Sequence, residues 1–218
     1  MKLKKTLESP TLIGRHVRLE PLDVSHAEAL LAAANESRAT YAFTIVPSDL
    51  ASTKAYLATA RDEEERGQSI PFVVRDAEGV VVGSTRFMCI EHWAWSGEPP
   101  APWPAPGAPD AVEIGGTWYA ERVQRTALNT EAKLLLCTHA FEHWRVRRVT
   151  WKTDERNARS RAAIERLGAK LDGVLRANRP GSDGVVRSTA FFSMLADEWR
   201  GERGDDGARA RLVARLGH

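Results

Sequence analysis

Apolar residues recur along this chain with two alternating periods. Val17 and Leu19 alternate with polar neighbours inside Thr11–Leu22, which predicts a first strand ending at Pro21. Ala27, Leu30, Leu31 and Ala34 follow at helical spacing, so a helix is expected from Ser25, a suitable N-cap, to about Asn35. A second amphipathic helix is predicted over Ser52–Arg66, with Gly67 as its stop. Ile70–Val74 and Val80–Ile90 read as strands joined by the hairpin turn Asp76-Ala-Glu-Gly79. Then the pattern breaks. Between Glu91 and Asp110, Pro99, Pro100, Pro102, Pro104, Pro106 and Pro109 stand beside Trp93, Trp95 and Trp103. Proline at that density removes backbone donors and forbids helix or central strand. A long loop is expected, serving as a lid, a subunit contact or a mobile insertion.

Glu113–Tyr119 restores the strand pattern, and Glu121–Ala127 is too polar to continue it. A helix from Asn129 to Trp144 carries Leu134, Cys137, Phe141 and Trp144 on one stripe. Val146–Thr153 is the next strand, and a helix from Asn157 closes at Leu167 before Gly168. Leu171–Ala177 and Val185–Leu195 are expected to pair across a turn-rich connection. Beyond Trp199, residues 201–218 read as a polar tail with a short, frayed basic helix, which leaves residues 1–200 as one domain.

Composition narrows the function classes. With 218 residues, 43% of them hydrophobic, the chain can bury one full core. A net charge of +2 gives no global field for nucleic acid or a membrane surface. Cys89 and Cys137 each sit in an apolar run, which suggests reduced core thiols in a cytoplasmic protein. The basic start Met1–Lys5 leads into no apolar run of the kind that directs export or spans a bilayer.

The chemistry is concentrated between Val112 and Ser160. A strand that passes through a basic turn into a helix leaves several backbone N–H groups without intrahelical partners, all at one place. The helix dipole acts in the same direction, so the place suits an anion such as a phosphate. Arg122-Val-Gln-Arg-Thr-Ala127 resembles the pyrophosphate-binding turn Q/R-x-x-G-x-G/A of the GCN5-related N-acetyltransferases, with Arg125 at the middle glycine. Asn157-Ala-Arg-Ser160 followed by Leu167-Gly168 resembles that family's N-x-x-S helix. Asp183-Gly-Val-Val-Arg187 and the strand ending before Glu198-Trp199 resemble the tail of its RimJ/RimL-like branch. Three blocks in order are far more specific than the turn alone.

The resemblance implies an α/β fold, with a central, mostly antiparallel mixed sheet, a splayed strand pair and flanking helices. It implies acetyl-CoA as co-substrate, no metal, and direct transfer of the acetyl group to an acceptor amine, either a protein N-terminus or a small molecule. It assigns the pantetheine arm to Gly116, Thr117, Trp118 and Asn157. The pyrophosphate falls to the backbone of Val123, Gln124, Arg125, Thr126 and Ala127 with Asn129 and Thr130, helped by the charges of Arg122 and Arg125. Ser160 would protonate the leaving thiolate and Glu113 would serve as base, with Glu91 a competing acid. Asn157 and Ser160 also suit plain helix capping. A homodimer is a further expectation, since similar proteins pair side by side. An acyl-CoA-binding protein without turnover is the alternative class. His139-Ala-Phe-Glu142-His143 also matches the H-x-x-E-H pattern of zinc peptidases, whose histidines lie one turn apart.

Overall fold

The computed structural model describes residues 7–101, 104–202, 204 and 206–217. Met1–Lys5, Pro102 and Trp103, which entered the expectations above, lie outside the described residues. Its contacts group into two units, Met1–Cys89 with Ile114–Leu135 and Ile90–Glu113 with Leu136–His218. Eight described strands form a sheet of order β1-β2-β3-β4-β5-β6-β8-β7. Its hydrogen-bonded neighbours are mostly antiparallel, and helices accompany it in both units.

In the first unit the single strand expected over Thr11–Leu22 is two: β1 (Leu12–Ile13) and β2 (Val17–Pro21), paired Leu12 to Leu19. Gly14 turns the chain between them, and the Glu131 carboxylate accepts the N–H groups of Arg15 and His16. Ser25 is not the N-cap of the first helix: it lies inside a short 3-10 turn (Val24–His26) that Asp23 caps. Asp23 accepts from Ser25 N at 2.9 Å, and this turn precedes α1 (Ala27–Asn35). Asp49 and Ser52 form a reciprocal capping box that starts α2 (Leu50–Glu65). β3 (Ser69–Asp76) and β4 (Val81–Glu91) form the expected hairpin, which continues the antiparallel meander from β2. Leu19, Leu30, Phe72 and Phe87 are fully buried, with the two phenylalanine rings edge to face at 5.9 Å. β5 (Ala111–Tyr119) lies next to β4 in the sheet. Gly83, at φ 156°, is required there, since a Cβ would stand 2.1 Å from the Trp118 carbonyl oxygen.

In the second unit the start of β5 pairs in parallel with β6 (Arg148–Asp154). That ladder covers only Ala111–Glu113 against Arg148–Thr150, three residues of a nine-residue strand. β8 (Val186–Leu195) runs antiparallel to β6 along its whole length, and β7 (Lys170–Pro180) pairs with the other side of β8. α3 (Ala127–Thr138) continues as one π-helical stretch over His139–Trp144, ended by Arg145 in left-handed conformation at φ 57°. α4 (Ala158–Arg166) ends before Gly168 at φ 99°.

Three expectations need correction. Trp199, in α5 (Ala196–Arg200), is fully buried and stacks on Phe141 at 5.5 Å. α6 (Gly207–Leu216) buries Ala208, Leu212 and Leu216, and Arg209 pairs with Glu142 at 2.9 Å. The C-terminal helix is therefore packed and not frayed, because its apolar residues fall at helical spacing and have a face to cover. Cys89 is exposed at φ 48°, so only Cys137 is a buried thiol. The proline-rich loop is anchored, contrary to a mobile insertion. Asp110 accepts from Trp93 N at 2.8 Å and Trp95 Nε1 at 3.3 Å, and the Arg147 and Arg148 guanidinium groups lie over the Trp95 and Trp93 rings. No described helix is long and apolar enough to cross a membrane.

Candidate active site

The turn between β5 and α3 belongs to the first unit, and its donors are fewer than the sequence suggests. Val123 N donates to Ala120 O at 3.3 Å and Gln124 N to Glu121 O at 3.0 Å, closing a 3-10 turn. Gln124 Nε2 is also spent, on Thr40 Oγ1 and the Tyr119 carbonyl. The N–H groups of Arg125 and Thr126 have no acceptor among the described residues, and Ala127 opens α3. Arg125 adopts φ 63°. A residue in this left-handed conformation aligns successive N–H groups into a concavity that accepts an anion. Arginine has thus kept the backbone geometry for which glycine is the usual residue.

Charge at the turn divides unequally between the two arginines. Arg122 pairs with Asp76 at 2.8 Å and Glu36 at 3.1 Å, and the Asp76 contact raises its pKa further. Its backbone N–H goes to Glu36 as well. Arg125 is exposed and has no acidic partner among the described residues, so it carries the charge open to a ligand. A cleft of about 250 Å³ adjoins the turn, lined among others by His16, Arg122, Thr126 and Ala127.

Upstream on β5, Gly116 takes φ 58° with Arg86 beside it, where a Cβ would meet Arg86 Nε at 2.9 Å. The Thr117 hydroxyl lies 2.7 Å from both Thr85 Oγ1 and Lys133 Nζ. Lys133 is buried, and its contact fastens α3 to β5 directly behind the turn. Sequence periodicity gave no sign of it, because a lysine in a helix reads as surface. Trp118 is core: it is 3% exposed and packs edge to face on Tyr41 at 6.2 Å.

Glu113, Asn157 and Ser160 belong to the second unit. Glu113 is buried and is half of an ion pair, with Lys152 Nζ 2.7 Å from its carboxylate. That partner depends on the β5–β6 register, which sequence does not reveal. Asn157 Oδ1 caps α4 by accepting from Ser160 N at 3.0 Å, which leaves its amide donor. The Ser160 hydroxyl has no partner among the described residues. Glu91, the competing acid, is held by Arg148 at 3.1 Å and Trp93 Nε1 at 2.8 Å. In the H-x-x-E-H segment the two imidazoles stack at 5.3 Å, and Glu142 is bonded to Trp199 Nε1 and Arg209. The glutamate that a peptidase would use as base instead holds α5 and α6. Among the described residues no group of acids, histidines and cysteines is arranged to hold a metal.

Known proteins share this fold. A family model for the acetyltransferase (GNAT) domain matches residues 16–170. The provisionally assigned ribosomal N-acetyltransferase YdaF of Bacillus subtilis (strain 168) is 32% identical over 88 residues. That match spans 40% of this chain and 48% of YdaF, about half the length of that relative. A GCN5-related N-acetyltransferase from Brucella melitensis superposes with a TM-score of 0.78 at 29% identity, covering 97% of this chain and 87% of that one. RimJ of Mycobacterium smegmatis, solved in complex with CoA-disulfide, has the same fold at 20% identity, with a TM-score of 0.74 and 95% of each chain covered. The match over residues 16–170 takes in most of the chain, so this protein belongs to the GNAT acetyltransferase family.

Proposed function

We propose that this protein is a cytoplasmic enzyme that transfers the acetyl group of acetyl-CoA to a primary amine, a protein N-terminus or a small molecule, in a ternary complex. The observation that carries it is the turn into α3, where the N–H groups of Arg125 and Thr126 stand unspent beside the exposed Arg125 side chain. Those donors and that charge suit a diphosphate. The backbone of Gly116, Thr117 and Trp118, with the Asn157 amide, would take the pantetheine arm and hold the thioester carbonyl.

Transfer requires three things of the protein. Glu113 receives a proton from the acceptor ammonium, once that cation competes with Lys152 for the carboxylate. The amine nitrogen then forms its bond to the carbonyl carbon while backbone donors fixed in advance hold the developing oxyanion. The carbon–sulfur bond breaks as the Ser160 hydroxyl gives its proton to the departing thiolate and takes back the second proton from the nitrogen, leaving the neutral amide, the free CoA thiol and a protonated Glu113. Calorimetry with CoA tests binding, and release of free thiol from acetyl-CoA with a panel of peptides and amines tests turnover. Absence of CoA affinity in folded protein overturns the proposal. Binding without thiol release across the panel favours an acyl-CoA-binding protein. Full turnover in Ser160→Ala or Glu113→Gln removes that residue from its role.

A further inference from the structure

One face of the second unit's sheet carries a cation that the mechanism above does not use. Along β8, Arg187, Thr189 and Phe191 alternate onto one side, and the ladder places Thr189 opposite Asp154 and Phe191 opposite Lys152. Lys152 lies 5.2 Å from the Phe191 ring and holds Glu113, so base, lysine and arginine share that side. Arg187 is 8% exposed. Its Nε donates to Thr189 Oγ1 at 3.2 Å, and that hydroxyl donates to Asn178 Oδ1 at 2.8 Å. Its two terminal nitrogens have no acceptor among the described residues.

The neighbouring carboxylates are already committed. Asp154 receives Arg156 through two bonds, at 3.0 and 2.8 Å, and Glu113 receives Lys152. Arg179 stands directly opposite Arg187 in the β7–β8 ladder, adding a like charge. Burial, together with Arg179 and Arg156, pulls the Arg187 pKa below its usual value, while Asp154 and Glu113 act through space in the opposite direction. With no acceptor among the described residues, the two terminal nitrogens of Arg187 keep their donors for a ligand or for water. The planar guanidinium fork matches a carboxylate or phosphate.

We infer that Arg187 recognises an anionic group, carboxylate or phosphate, carried a few bonds from the amine of the acceptor. This rests on the amine acetylation proposed above and names the class of acceptor: a primary amine with a nearby negative charge. The amine end goes to Glu113 and the anion to Arg187, with Asn178 and Thr189 orienting the fork.

Matched acceptor pairs test this with acetyl-CoA: amino acids against their amides, and phosphoethanolamine against ethanolamine. In the wild type at least one anionic member should exceed its neutral partner in kcat/KM by about tenfold or more, the equivalent of one charge-assisted hydrogen bond. Which pair responds tells carboxylate from phosphate. Arg187→Gln should bring that ratio close to one while the KM for acetyl-CoA stays unchanged, and Arg187→Lys should restore part of it. A purely structural role would lower stability and leave the ratio alone. Equal rates within every pair in the wild type, or a ratio unmoved by Arg187→Gln, overturn the inference. Should Arg187→Gln fail to fold, Arg187→Lys and the wild-type pairs still decide. Should no pair turn over, calorimetry on the CoA-bound protein compares N-acetylglycine with N-acetylglycinamide, and no preference for the acid overturns it. Loss of CoA affinity itself would overturn the acetyltransferase reaction proposed above and is read separately.

Discussion

At the scale of single residues, the two arginines of the turn exchange the roles that a linear pattern suggests. Arg122 fills the first position of the motif, yet its charge is matched by Glu36 and Asp76, which are 86 and 46 residues away in sequence. Arg125 breaks the motif, yet it holds the left-handed backbone and an unmatched charge. Arg125→Gly should therefore keep or raise the unfolding free energy, by up to about 1 kcal/mol, as a strained non-glycine residue is relieved. The same change should weaken CoA binding by about tenfold, read by calorimetry. Arg122→Gln should do the reverse, lowering stability with little effect on CoA. Equal loss of affinity in both variants would show that Arg122 leaves its acidic partners for the ligand. His139 offers a second test. Burial, then the neighbouring His143, lower its pKa to about 4. The unfolded chain takes up that proton first, near pH 6.5, so stability should be full above that pH and fall as pH drops from about 6.5 to 4. One proton gives at most about 1.4 kcal/mol per pH unit, and partial solvent access reduces it. Denaturant unfolding at several pH values checks this, and His139→Gln should flatten the slope in that window.

At the scale of elements, what periodicity can state was legible and what depends on a distant partner was not. The helix stripe from Leu134 to Trp144 was readable because Cys137, Phe141 and Trp144 face one core, and the wider π turn keeps Ala140, Phe141 and Trp144 buried. The hairpin at Asp76–Gly79 and the stop at Gly168 were readable from local chemistry alone. Glu113 was legible as an acid on a predicted strand, but Lys152 and Arg187 reach its side of the sheet only through strand register, which no local pattern encodes. The packing of the C-terminal helix was missed for a similar reason. Gly201–Gly207 looks like a solvated linker, and nothing before it shows that Trp199 and Glu142 supply a place for α6 to dock. Leu212 is 1% exposed. Leu212→Ala should accordingly cost about 2–4 kcal/mol in chemical denaturation, where a frayed tail would register less than about 0.5 kcal/mol.

At the scale of the whole molecule, the two units are each discontinuous in sequence. The chain passes between them at Cys89–Ile90, Glu113–Ile114 and Leu135–Leu136. None of these crossings lies in a linker: they fall inside β4, β5 and α3. Separable domains ordinarily meet at exposed, polar connections, so that one can melt without breaking backbone hydrogen bonds in the other. Here the loss of either unit frays a strand or helix that the other also uses. Thermal unfolding should consequently be a single cooperative transition, with an enthalpy near 0.7 kcal/mol per residue at about 60 °C and equal calorimetric and van't Hoff values. Saturation with CoA should then move the whole transition upward, since a ligand bound only by the folded state adds about 2.7 kcal/mol at a hundredfold excess over its Kd. Two resolved transitions, or a shift confined to one of them, would mean that the shared strands and helix do not couple the units.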